Sequence, residues 1–417
     1  MLVVLLGGPA AVGSAEAIVQ DRPALAEAEV RGLSARYDRT DRWALQALIL
    51  TSLGREWHPC GKAMLVDALG QDDLRLKAFA VEALRRTNPG QLRALADTEL
   101  MDLLIRKEAK SKHGLYTRRV LDLLKMMAPR SEARTDAEWN RWWSRRRAEW
   151  KVGDWTFEEP PRTTEPRTQS IVQRAFDLRR NGLDLVFCLD STGSMQPTID
   201  AVRDALDGVV LLLQSIAPEF RVGLVHYRDL GDLSEGAKVL VALTPQVTRL
   251  RGRLEKMRAE GGGDTPERVE KGLELALDRR KMGWKLQTEK LVIVIGDAPP
   301  HHSTIELCVK LARSARENPF ADGGDRTGAG EPRPFVISTI GVGTHHVARS
   351  TCRSFESIAR AGGGAYVELL TIGTESTPDP SHEVLHHILE LTFGPRWSDQ
   401  LETFLRTFRE YRDEEVF

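Results

Sequence analysis

Between residues 182 and 395, short runs of Val, Ile and Leu alternate with amphipathic helical patterns. The runs are LDLVFCLD, FRVGLVHY, AKVLVAL, EKLVIVIGD, PFVISTIGVG and AYVELL. Helical spacing falls at 195–216, 266–280, 304–316, 353–361 and 381–395. A strand with one wet face alternates apolar and polar residues, whereas these runs are apolar on consecutive residues. They therefore predict strands buried on both faces, in a mostly parallel sheet covered by helices. The fold class is α/β, a doubly wound, Rossmann-like sheet.

Three loops in this region carry unusual chemistry. Asp190-Ser191-Thr192-Gly193-Ser194-Met195 follows the first run directly. Gly261-Gly262-Gly263-Asp264-Thr265-Pro266-Glu267 precedes a helix, and Gly296-Asp297-Ala298-Pro299-Pro300 follows KLVIVI. Ligands of doubly wound sheets bind beyond the carboxyl ends of the strands, where the first and third loops lie. Carboxylates and hydroxyls are hard oxygen donors suited to Mg²⁺, Mn²⁺ or Ca²⁺. Few protein carboxylates leave such an ion short of charge and ligands, and an outside carboxylate can complete its shell. Read singly, the loops have a plainer use: Ser194 and Asp264 could each cap a helix.

DSTGSM, GGGDTPE and GDAPP together resemble the metal-ion-dependent adhesion site of the von Willebrand factor A (VWFA) family, over about residues 182–395. The resemblance implies metal ligands at Asp190, Thr192, Ser194, Thr265 and Asp297, with Thr192 where Ser is frequent. It also implies a non-enzymatic, cation-dependent binding module. HYRDLGD and GGGDTPE further resemble the A-type domains found beside alpha-kinases, although no kinase motif appears here.

Around these loops, Asp264, Asp229, His301, His302, His345 and His346 are expected to support the metal or line its rim. Asp229 and Asp232 are equally plausible turn residues. The two His pairs could instead hold a softer ion such as Zn²⁺, or sit exposed in their loops.

The rest of the chain reads as follows. Residues 22–155 form a helical domain, helical throughout over 22–128, with a weak period of about 30–40 residues that resembles HEAT repeats; an irregular bundle is the alternative. Trp139, Trp142 and Trp143 share one helical face and read as core rather than as a nucleic-acid platform. Residues 156–181 form a polar, Pro-rich linker, and 396–417 an amphipathic C-terminal helix. Residues 1–17 end in Ala15-Glu16-Ala17 and read as a signal peptide, which places the protein in a secreted or periplasmic setting; a cytoplasmic chain is the alternative.

Composition excludes several classes. The chain has 417 residues, 59 Lys plus Arg against 60 Asp plus Glu, and a net charge of −1, so no overall field draws nucleic acid. No segment is apolar for long enough to span a membrane. Cys60, Cys188, Cys308 and Cys352 show no zinc spacing. The expected partner is a protein that offers an Asp or Glu carboxylate. The other readings are a non-catalytic subunit beside a separate ATPase, and a metal-dependent hydrolase, for which no catalytic motif is present.

Overall fold

The computed structural model describes residues 24–160, 170–229, 236–261, 266–319, 332–370 and 380–412. The N-terminal signal reading, Asp232, and Asp264 with Thr265 of the second loop lie outside them. The chain divides into two compact units, 1–168 with 402–417, and 169–401.

The first unit is all-helical. Its helices are α1 (Glu27–Tyr37), α2 (Trp43–Thr51), α3 (Lys62–Gly70), α4 (Leu74–Arg86), α5 (Pro89–Leu95), α6 (Thr98–Arg106), α7 (Gly114–Met127) and α8 (Asp136–Arg146). Turn chemistry separates them: Asp73, Asn88 and Asp97 each accept a backbone N–H at the start of the next helix. Trp139 and Trp143 are buried. Trp143 Nε1 donates to Asp102 Oδ1 at 2.7 Å, and Arg147 grips the same carboxylate. The Trp stripe is thus a satisfied core face.

The second unit is built on a six-stranded sheet: β1 (Leu183–Asp190), β2 (Phe220–Tyr227), β3 (Ala237–Thr244), β4 (Glu289–Gly296), β5 (Phe335–Gly343) and β6 (Gly363–Leu370). Their order is β3-β2-β1-β4-β5-β6. All pairs are parallel except β2–β3. Every residue of β1 is buried, which is why its apolar run does not alternate. Asp184 and Asp190, at its two ends, are the charged exceptions, and Asp184 is fully paired. Its buried carboxylate is held by Arg221 at 2.5 and 2.8 Å and by the Thr288 hydroxyl at 2.7 Å.

The helices of this unit are α9 (Ile171–Asn181), α10 (Gln196–Ile216), α11 (Val247–Leu254), α12 (Val269–Leu277), α13 (Arg279–Met282), α14 (Ile305–Glu317), α15 (Arg349–Ala361) and α16 (Pro380–Phe393). Helix α9 occupies part of the stretch read as linker. Ser170 caps it, and Ile171, Val172, Ala175 and Leu178 bury one face. Helix α12 starts at Val269, because Glu267 is first bridged to Pro300.

The last helix, α17 (Ser398–Arg412), places its residues from Glu402 onward in the first unit. Phe404 stacks on Phe79 at 5.0 Å and Phe408 on Trp43 at 6.4 Å. Glu410 pairs with Arg119 at 2.9 Å. Truncating a buried Phe costs about 3–5 kcal/mol. Phe404→Ala should therefore lower the melting temperature of the helical unit in calorimetry. An unchanged transition would show that α17 is not part of that core.

Candidate functional site

Parallel register brings the strand ends to one rim. Asp190 lies opposite Tyr227, and Leu189 opposite Ile295, so Gly296 and Asp297 follow beside Asp190. The Asp190 side chain has no exposed surface. Its Oδ1 accepts the Thr192 N–H at 2.9 Å and the Thr192 hydroxyl at 2.8 Å. Its Oδ2 is buried and has no hydrogen-bond partner among the described residues. Burial pushes this carboxyl up to about 7, against the lowering effect of the Thr192 hydrogen bonds, and the Asp297 charge pushes in the same direction as burial.

The glycine beside it is required by contact. A β-carbon on Gly296 would lie 2.5 Å from Tyr227 Oη and 3.4 Å from Asp190 Oδ2. Tyr227 is fully buried and donates to the Ile295 carbonyl at 3.3 Å. The rim is thus closed underneath by an aromatic hydroxyl, with no space for a larger residue on β4.

The first loop continues as a single tight turn, Gly193–Met195, into α10. Helix α10 has Met195 at its N-cap and no side-chain cap, so Ser194 does not do the capping that its position suggests. Ser194 is exposed, and its hydroxyl makes no hydrogen bond among the described residues. Asp297 is half-buried, and its backbone carbonyl accepts the Thr351 hydroxyl at 3.1 Å.

The second loop is anchored at both flanks. On entry, Glu260 N–H donates to the Ser191 carbonyl at 3.2 Å, and Gly193 N–H donates to the Gly261 carbonyl at 3.1 Å. On exit, Glu267 N–H donates to the Pro299 carbonyl at 3.0 Å. The chain on either side of Thr265 is therefore tied to the first and third loops. The structure brings Asp190, Thr192, Ser194 and Asp297 to the same rim.

Sequence reading passed over the group behind the first loop. Ser191 is buried, with its Oγ 3.0 Å from His226 Nδ1 and accepting from Arg228 Nε at 2.8 Å. Burial holds the His226 imidazole down at about 4, with Arg228 and Lys238 adding to the effect. The motif HYRD contained these residues, but nothing local in it marks Ser191 as their partner.

The two histidine pairs expected at the rim stand apart from a metal-holding cluster among the described residues. His301 Nε2 sits 3.1 Å from Asp229 Oδ1. His302, His345 and His346 are exposed. Among the described residues, the group of three His, Cys, Asp or Glu ligand atoms within 4.8 Å is Glu27, His58 and Glu159, and it includes none of these four histidines.

A rim of loops at the carboxyl ends of an open, mostly parallel sheet defines a ligand-binding α/β domain of Rossmann-like class. Residues 184–318 match the family model of the von Willebrand factor A domain. The chain is similar to alpha-protein kinase vwkA of Dictyostelium discoideum, 31% identical over 121 residues, covering 28% of this chain and 19% of that one. It is also similar to an ariadne-like RING finger protein of Acanthamoeba polyphaga mimivirus, 28% identical over 125 residues, covering 29% and 12%. It thus spans less than a fifth of the length of these curated relatives. Among solved structures, BatB of Bacteroides thetaiotaomicron superposes with a TM-score of 0.36 at 16% identity, covering 51% of this chain and all of that one.

His226 generates a pH prediction. Its folded value lies below the ordinary value of about 6.5, so the unfolded chain binds the extra proton as pH falls. Stability from this group is lost between about 6.5 and about 4. The raised Asp190 carboxyl acts with opposite sign, favouring the fold as pH falls below about 7. His226→Asn should therefore lose less stability than wild type between pH 6.5 and 4 in denaturant titrations. Parallel profiles for the two proteins would contradict the assignment.

Proposed function

We propose that the A domain is a divalent-cation-dependent protein-binding module that captures an acidic group of a partner. The observation that carries this reading is the buried Asp190 Oδ2, which no group among the described residues satisfies. A buried, unpaired carboxylate oxygen is costly, and a bound cation would remove that cost. Asp190, Thr192, Ser194 and Asp297 would hold the ion, with Thr265 completing the set by family resemblance. All are hard oxygen donors, which fit Mg²⁺, with Mn²⁺ or Ca²⁺ as substitutes. A cation held there would supply a Lewis-acidic position for a carboxylate oxygen of the partner.

The chain's own residues do the positioning. Thr192 orients Asp190 by donating to Oδ1, which leaves Oδ2 facing away from the turn. Gly296 and Tyr227 fix the depth at which the carboxylate sits. Ser194 stands at the solvent side, where a partner arrives. The helical unit offers a second contact surface or a tether. Buried, low-pKa His226 is held on buried Ser191, and His301 is held by Asp229, which supports binding rather than hydrolysis.

The test is thermal unfolding with Mg²⁺, Mn²⁺ or Ca²⁺, in wild type, Asp190→Ala and Ser194→Ala. A ligand bound only by the folded state adds about 2.7 kcal/mol at one hundred times its dissociation constant. The wild type should gain a cation-dependent rise in melting temperature, and Asp190→Ala should show none. Exposed Ser194→Ala should fold normally and show a reduced rise. Equal rises in all three proteins would place the cation elsewhere, and no rise at millimolar cation in the wild type would remove the metal reading.

A further inference from the structure

The A domain has a second surface with the character of a binding site, at the open edge of its sheet. Strand β3 is the end of the sheet order and pairs with β2 alone. Helix α11 follows it after two residues and packs against β2 and β3. Between the strand and the helix lies a groove of about 670 Å³, lined by Leu240 and Leu243 on one side and Arg249, Gly252, Arg253 and Lys256 on the other. Because β3 runs antiparallel, this half of it lies beside Val222 and Leu224, near the start of β2. The groove is thus far along the strands from the rim that carries Asp190.

Three properties define its occupant. The strand edge presents backbone N–H and C=O groups with no partner strand beyond them among the described residues, which is a template for an extended chain. Leu240 and Leu243 are half-buried, offering shallow apolar contacts. Arg249, Arg253 and Lys256 are exposed and form no ion pair among the described residues, and exposed Lys238 lies on the same strand. Neighbouring Arg251 differs, since it pairs with Asp207 and Glu255. A β-carbon on Gly252 would meet nothing within 4 Å, so the floor beside the cations is open.

We propose that this groove binds an extended, acidic segment of a partner protein, added as a strand to the β3 edge. The cations of α11 would face its carboxylates. A second copy of this chain is disfavoured as occupant, because edge-to-edge pairing would set like charges together. Two register shifts against β2 twist β3 and shorten the stretch available for regular pairing. Side-chain charge then supplements a short ladder in setting the affinity. The site is independent of the metal reading.

The test uses a fluorescein-labelled synthetic peptide of alternating Glu and Val, followed by anisotropy in the presence of chelator. Wild type should bind saturably, and more weakly as ionic strength rises. The double substitution Arg249→Glu with Arg253→Glu should weaken binding by at least about tenfold, as expected when several exposed charge contacts reverse sign. Both residues are exposed, and circular dichroism should show the variant folded. Asp190→Ala should bind as wild type does. Methylating alternate peptide amides should abolish binding, since these supply the ladder hydrogen bonds. Absence of binding, or binding indifferent to charge reversal or to amide methylation, would overturn the proposal. Tighter binding of a single-stranded RNA of equal charge would reassign the face to nucleic acid. Concentration-dependent self-association that is lost in the double variant would reassign it to a second copy.

Discussion

A carboxylate oxygen withdrawn from water and without a donor among the described residues is the feature around which the A domain is arranged. Asp190 sits at the end of a strand whose every residue is buried, so its side chain cannot turn back to solvent. Thr192 satisfies one oxygen through both its N–H and its hydroxyl and leaves the other. Tyr227 and Gly296 close the space below it. Each of these residues would be replaceable in a sheet that had no use for the rim. Together they hold a charge where burial opposes charge, which is the usual mark of a binding site rather than of a core.

The sheet was legible because its signal is dense. Consecutive Val, Ile and Leu in β1, β4 and β5 suit strands covered on both faces, and their period alone separates buried strands from half-exposed ones. The first and third loops were legible because they follow those strands directly. Ser191, His226 and Arg228 were not, because the contact that unites them spans 35 to 37 residues and is made by register. Helix α9 was missed for a local reason: the Pro-rich run before it dominates the composition of the window, while its own apolar face rests on Ile171, Val172, Ala175 and Leu178 alone. The amphipathic pattern of α17 showed that it packs on something, but a periodic face does not say on what; Phe79, Trp43 and Arg119 answer that.

The charge balance of the chain conceals local fields. A net charge of −1 spread over 417 residues reads as neutral. Yet carboxylates gather at the rim, where Asp297 raises the cost of ionising Asp190. Cations gather along α11. A near-neutral total is thus compatible with a carboxylate-rich rim and a cationic groove on one sheet.

The return of α17 to the helical unit changes how the A domain is joined to the rest. The chain leaves that unit after residue 168 and re-enters it at 402, so residues 169–401 form an insertion and not an appended module. After one scission within the insertion, the N-terminal piece stays covalently joined to residues 1–168, while the C-terminal piece is held only through the packing of α17, including the stacking of Phe404 on Phe79 and the Arg119–Glu410 pair. Release of that piece then requires loss of that packing.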